Sequence, residues 1–134
     1  MVNNAAIAPE ANNPNPIYDT STDVFNATTK VNLGGVFFGM KHAGRQMITQ
    51  DPLPNGDRGW ILNISSVLGL VGKSGTVAYS GAKGGVVNMT RSVALDYAPH
   101  RIHVNGISPG CQFGVRPHMA HKTIADRRQS QRPP

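Results

Sequence analysis

The sequence predicts an α/β protein built on an open parallel sheet, with about three strands and two long helices. Three observations predict it. Short apolar runs alternate with two long stretches of helical period. The order is strand, helix, strand, helix, strand, so each helix reads as a crossover between parallel strands. Polar or glycine-rich residues follow each strand, where open α/β sheets bind their ligands.

The elements follow in order. "VNNAAI" (2–7) is apolar and small, with strand character. "APEANNPNPIYD" (8–19) is rich in Pro and Asn and reads as a loop. Thr20 or Ser21 is placed to cap a helix that runs to about Thr49. Its apolar positions Val24, Val31, Phe38, Met47 and Ile48 recur near helical spacing, and Gly34-Gly35 inside it points to close packing rather than a stop. "QDPLPNGDRG" (50–59) is a turn, "WILNIS" (60–65) a buried strand by its apolar run, and "SVLGLVGKSGT" (66–76) a Gly-rich loop. The second long helix covers 77–99 and stops at Pro99. "RIHVNGIS" (101–108) is the last strand, closed by Pro109-Gly110. From Cys111 onward the period is lost, which divides the chain into a folded unit, 1–110, and a basic, disordered tail, 111–134.

Composition narrows the function classes. A chain of 134 residues fits one domain, and one of this size buries roughly two-thirds of its unfolded surface. No run approaches the ~18 apolar residues of a membrane span. "MVNNAAIAPE" has neither a basic start nor a long apolar stretch, so no signal peptide is read. The single cysteine, Cys111, excludes an internal disulfide framework and fits a reducing compartment, so the cytoplasm is expected. Sequons at Asn26, Asn63 and Asn88 are read as coincidence. The net charge of +6 is uneven: residues 1–114 carry eight Lys/Arg against six Asp/Glu, and residues 115–134 carry five against one. That tail reads as a solvated end; attraction to nucleic acid is the weaker reading, because no aromatic residue accompanies the charge after Phe113.

The chemistry gathers in "AYSGAKGG" (78–85). Tyr79 and Lys83 stand at i and i+4, on one face of the second helix. A phenol is a poor proton carrier near neutrality, and an adjacent ammonium favours its ionised form. Small neighbours let a flat ligand approach the backbone. Thirteen residues upstream of Tyr79, Ser66 follows "WILNIS" at the mouth of the sheet, where a hydroxyl can hydrogen-bond a substrate carbonyl. Asn32, beside two glycines, is costly in mid-helix; taken alone it reads equally as a surface amide.

"VNNAA", "VNLGGVFF", "GWILNISS", "AYSGAKGGVVNMTRSVALDYA" and "RIHVNGISPG" occur in this order. Together they resemble the short-chain dehydrogenase/reductase family of nicotinamide enzymes, over roughly residues 2–110. The resemblance implies a Rossmann-like, doubly wound parallel sheet, incomplete here, and an enzyme that interconverts a small-molecule alcohol and a ketone with NAD or NADP. It implies that Tyr79 is the general acid/base, that Lys83 lowers its pKa and holds the nicotinamide ribose, that Ser66 orients the substrate carbonyl, and that Asn32 holds a proton-relay water. Asn4, Lys41, Pro109 and Gly110 fall at cofactor-side positions, with a solvated helix lysine the equal reading of Lys41. The 13-residue spacing to Tyr79 favours Ser66 over Ser65 as the catalytic serine.

Two departures bear on function. The chain begins at what resembles the family's fourth strand, and no Gly-rich turn for a pyrophosphate precedes Asn3. After Pro109-Gly110, "CQFGVRPHMAHKTIADRRQSQRPP" resembles no family segment. A fragment or an altered reading of a longer gene accounts for both, and weak binding of a nicotinamide cofactor is expected. A catalytically silent pairing or regulatory module is the alternative reading.

No metal site is expected. His118 and His121 lack a third ligand and a scaffold. Cys111 reads as a small apolar filler, and Trp60, Phe37 and Phe38 as core. Val36-Phe37-Phe38 and Val86-Val87 nevertheless point to different helix faces, leaving one for a partner. In the family the two long helices pack against those of a second subunit, so a homo-oligomer is expected.

Overall fold

The computed structural model describes residues 1–110; Cys111, His118, His121 and the basic tail lie outside the described residues. Three parallel strands, β1 (Val2–Asn3), β2 (Gly59–Ile64) and β3 (Ile102–Ile107), lie in the order β1-β2-β3. Val2 pairs with Leu62, and β2 pairs with β3 from Gly59↔Ile102 to Ile64↔Ile107. The parallel α/β architecture is therefore as expected, with β1 shorter than the predicted 2–7.

The first crossover contains α1 (Thr22–Thr29), a π-helical turn (Lys30–Gly34) and α2 (Gly35–Thr49). Ser21 is the cap, its hydroxyl accepting from Val24 N at 3.2 Å. The second crossover is α3 (Val77–Tyr97), followed by a 3-10 turn at Ala98–His100.

The core lies between the helices and one sheet face. Val36 and Met40 from α2 and Val86 from α3 close on Ile61, Ile102 and Val104. Strand periodicity puts Ile61 and Asn63 on this face and Trp60 on the other. That other face is uncovered among the described residues, so Trp60 is 49% exposed and stacks on His103. Phe37 and Phe38 likewise point away from the sheet and are exposed. The expectation that these three aromatics are core is thus corrected: consecutive apolar residues of a helix or strand cannot all face one layer.

A polar chain crosses the core. Asn3 Nδ2 donates to Asn63 Oδ1, Asn63 Nδ2 donates to Thr90 Oγ1, and Thr90 Oγ1 donates to Val86 O, at 2.8, 2.9 and 2.7 Å. It ties β1, β2 and α3 with satisfied groups. At the amino ends of the strands, Asp57 accepts from Arg101 and faces His103 at 3.0 and 3.2 Å. The His103 hydrogen bond, with the Arg101 guanidinium adding, holds the Asp57 carboxyl below the usual carboxylate range. Tyr97, in the last turn of α3, donates its hydroxyl to Met40 O at 3.1 Å, and Gly44 leaves room for the ring.

Candidate active site

The carboxyl ends of β2 and β3 are laced together before any functional side chain is considered. Ser65 N donates to Ile107 O and Val67 N donates to Pro109 O, both at 2.8 Å. Pro109 is thereby brought beside the loop that carries Ser66. Ser66 is buried and starts a 3-10 turn, Val67–Gly69, its hydroxyl accepting from Leu68 N at 3.2 Å. Gly69 presses that turn onto α3: a Cβ there would stand 2.7 Å from the Lys83 carbonyl carbon and oxygen. Only glycine fits such a backbone approach. Ser65 has a different partner from Ser66. It is buried, and its Oγ donates to Lys83 O at 2.8 Å, a role in anchoring α3.

On α3, Tyr79 is half-buried and Lys83 is 3% exposed. The Lys83 ammonium lies 5.8 Å from the Tyr79 ring centroid and donates to Ile64 O at 2.6 Å. The i,i+4 spacing and the carboxyl end of β2 thus converge on one cation. Burial pushes the Lys83 ammonium below the ordinary lysine range. The Tyr79 hydroxyl has no hydrogen-bond partner among the described residues.

Asn32 is fully buried in the π-helical turn, so the surface-amide reading is overturned. Its Oδ1 accepts from Ile7 N and its Nδ2 donates to Ile7 O, both at 2.8 Å. The amide mimics a strand partner for the segment that follows β1. One extra residue in the turn lets this happen inside a helix, and such π-turns concentrate at functional sites.

The remaining cofactor-side candidates are exposed. Asn4, just past β1, and Pro109-Gly110, just past β3, stand at the carboxyl ends of the strands. Lys41 is exposed on α2, about 13 Å along the axis from Asn32. Its neighbours Gly39 and Met40 pack against Asn3 and Asn63.

Glu10 is one residue that sequence reasoning missed. It is 3% exposed, and its carboxylate accepts from Ala78 N at 3.1 Å and Tyr79 N at 2.8 Å. It caps α3 from 68 residues away, while Thr76, at the cap position, turns its own hydroxyl to Lys73 O and Ser80. Nothing in a Pro- and Asn-rich loop announces such a contact. Asn63 was missed as well; its only sequence signal is a polar residue at an inward strand position. No cluster of three metal-ligating side chains occurs among the described residues.

The sequence profile of the family described as short chain dehydrogenase matches residues 1–127. The chain is 44% identical over 110 residues to the uncharacterized oxidoreductase YxjF of Bacillus subtilis, covering 82% of this chain and 39% of that protein. It is 38% identical over 109 residues to carbonyl reductase [NADPH] 2 of Sus scrofa, covering 81% and 41%. The solved structure of NAD+-bound xylitol dehydrogenase superposes with a TM-score of 0.72 at 37% identity, covering 81% of this chain and 38% of that one. The chain thus spans about two-fifths of the length of these proteins. A parallel sheet, a tyrosine and lysine one turn apart at its carboxyl end and a family profile over most of the sequence agree: the chain belongs to the short chain dehydrogenase family.

Proposed function

We propose that this chain carries the proton-transfer machinery of an NAD(P)-dependent oxidoreductase that interconverts a small-molecule alcohol and a ketone. The observation that carries the reading is the buried Lys83 ammonium beside Tyr79, with Ser66 two residues beyond the carbonyl that Lys83 holds. An ammonium has three donors. Ile64 O takes one, and no carboxylate pairs with Lys83 among the described residues. A polyhydroxylated group such as a ribose fits the donors that are left. Lys83, with Asn4, Pro109 and Gly110 at the mouth, would hold the cofactor, which supplies or accepts the hydride when bound.

The protein's part is to orient the substrate and move a proton. In the oxidation direction the substrate hydroxyl proton passes to the Tyr79 oxygen; in reduction Tyr79 returns it. The Lys83 charge stabilises that oxygen while it is negative. The Ser66 hydroxyl donates to the substrate oxygen and shares its developing charge. Asn32 acts at one remove: it fixes the segment 4–7 and holds open the π-turn in which a relay water would sit.

The same reading includes a homo-oligomer built on α2 and α3, supported by the exposed Phe37 and Phe38. The family affiliation and the cysteine usage support a cytoplasmic location. A catalytically silent pairing module is the second reading, and one observation favours it: the exposed aromatic face that Phe37 and Phe38 form on α2.

The two readings separate in one assay. With NADH or NADPH in the millimolar range and a panel of small ketones, the 134-residue chain is expected to oxidise the dinucleotide slowly, and Tyr79→Phe to lower the rate at least ~100-fold. Dinucleotide binding with no turnover above that of Tyr79→Phe would identify the silent module.

A further inference from the structure

β1 and the segment after it are fastened at three successive points. Asn3 is bonded to Asn63 on β2, Ile7 to Asn32 in the π-turn, and Glu10 to Ala78 and Tyr79 on α3. The first two anchors join this stretch to the sheet and the first crossover. The third reaches the residue proposed to move the proton. We propose that Glu10 is a positioning residue: its carboxylate holds the backbone of Tyr79 so that the phenol stays over the Lys83 ammonium.

The first turn of α3 depends on a partner from outside the helix. A helix start leaves four N–H groups without intrahelical partners. Here Thr76 does not cap with its side chain, and the first turn carries no acidic residue of its own. The sequence before it, "GKSGT", is glycine-rich, and Gly75 adopts φ +75°. Without an external partner this turn would fray, and Tyr79 is its third residue. A carboxylate bonded to two successive amides is a charge-assisted, bidentate contact that also complements the positive end of the helix. It lies on the backbone side of Tyr79, so it restrains the residue without occupying the space that a substrate needs. The inference rests on the proton-transfer reading of Tyr79, but its test does not depend on a bound cofactor.

The test uses the 134-residue chain, free of ligand, as wild type, Glu10→Ala and Glu10→Gln. Glutamine keeps the shape but carries one acceptor oxygen and no charge. Two quantities are read by NMR: amide exchange at Ala78 and Tyr79, and the chemical shift of the Lys83 ε-methylene, which the Tyr79 ring current displaces at the observed distance. The expected result is at least a tenfold rise in exchange at both amides in Glu10→Ala, a smaller rise in Glu10→Gln, unchanged protection at Ile61 and Val104, and a Lys83 signal that moves toward its ordinary position in the same order. Faster exchange with an unmoved Lys83 signal would overturn the proposal, because Glu10 would then be a helix cap alone. Unchanged exchange would overturn it too. If Glu10→Ala fails to fold, Glu10→Gln decides by the same two readings. Failure of the dinucleotide assay leaves this result standing, and failure here leaves that assay standing.

Discussion

Lys83 is where burial and charge conflict most directly. Its ammonium is taken out of water and compensated by one carbonyl. Its folded pKa is therefore below the unfolded value of about 10.4. In the window between the two, the unfolded chain binds more protons, so stability rises with pH there. Tyr97 has the opposite sign: desolvation, with Asp96 adding, raises its pKa, so it holds its proton longer when folded and stability falls as pH passes about 10. Tyr97 is common to wild type and Lys83→Met, so its effect cancels in their difference. Urea midpoints compared from about pH 8 to about pH 10 should show wild type gaining on Lys83→Met; a constant difference would refute the assignment of a depressed lysine. Two glycines in the same region offer a contrast. A Cβ at Gly69 meets Lys83 backbone at 2.7 Å, whereas one at Gly81 meets nothing within 4 Å. Gly69→Ala should cost about 1–3 kcal/mol, and Gly81→Ala in the exposed first half of α3 should gain about 0.5–1 kcal/mol. Equal unfolding midpoints for the two variants would contradict the packing described.

At the scale of elements, periodicity revealed what repeats and missed what is local or long-range. The two crossovers and the strands β2 and β3 were legible because their apolar spacing and the Ser21 and Pro99 boundaries agree. The π-turn was not, because one added residue leaves hydrophobic spacing almost unaltered; only Asn32, costly in a regular helix, hinted at it. The single strand read over 2–7 became two paired residues and an anchored strap, since Ile7 is bonded by a side chain rather than by a strand. Tyr79, Lys83 and Ser66 stood out by residue type and position, and their expected roles came from the resemblance of five ordered segments rather than from spacing. Glu10 did not stand out, since a contact across 68 residues leaves no local trace. Thr28, one turn before Asn32, is fully buried, and its hydroxyl is the one buried side-chain polar atom without a partner among the described residues. Thr28→Val keeps the shape and removes that group, and should stabilise α1 by about 1 kcal/mol. A comparable loss in a denaturant titration would mean that the hydroxyl is satisfied in solution.

For the whole molecule, the outward face of α2 is the feature that sheet packing does not use. Phe37 and Phe38 are 47% and 56% exposed, and with Leu33 and Met89 they border a groove of about 460 Å³ between the crossovers. A stable interface takes about 800 Å² from each partner. Sedimentation at micromolar concentration should therefore show self-association, lost on Phe38→Glu; a monomer before the substitution would rule it out. The central claim, that Lys83 and Tyr79 form the floor of a dinucleotide site, is tested most directly by titrating the 134-residue chain with NADH under NMR. Shifts should concentrate at the amides of Ser66, Tyr79, Lys83 and Gly110, with a dissociation constant of about 1 mM, worth about 4 kcal/mol, and they should disappear in Lys83→Met. Shifts gathered instead around Asp57, Arg101 and His103, or an undiminished response in Lys83→Met, would contradict the claim.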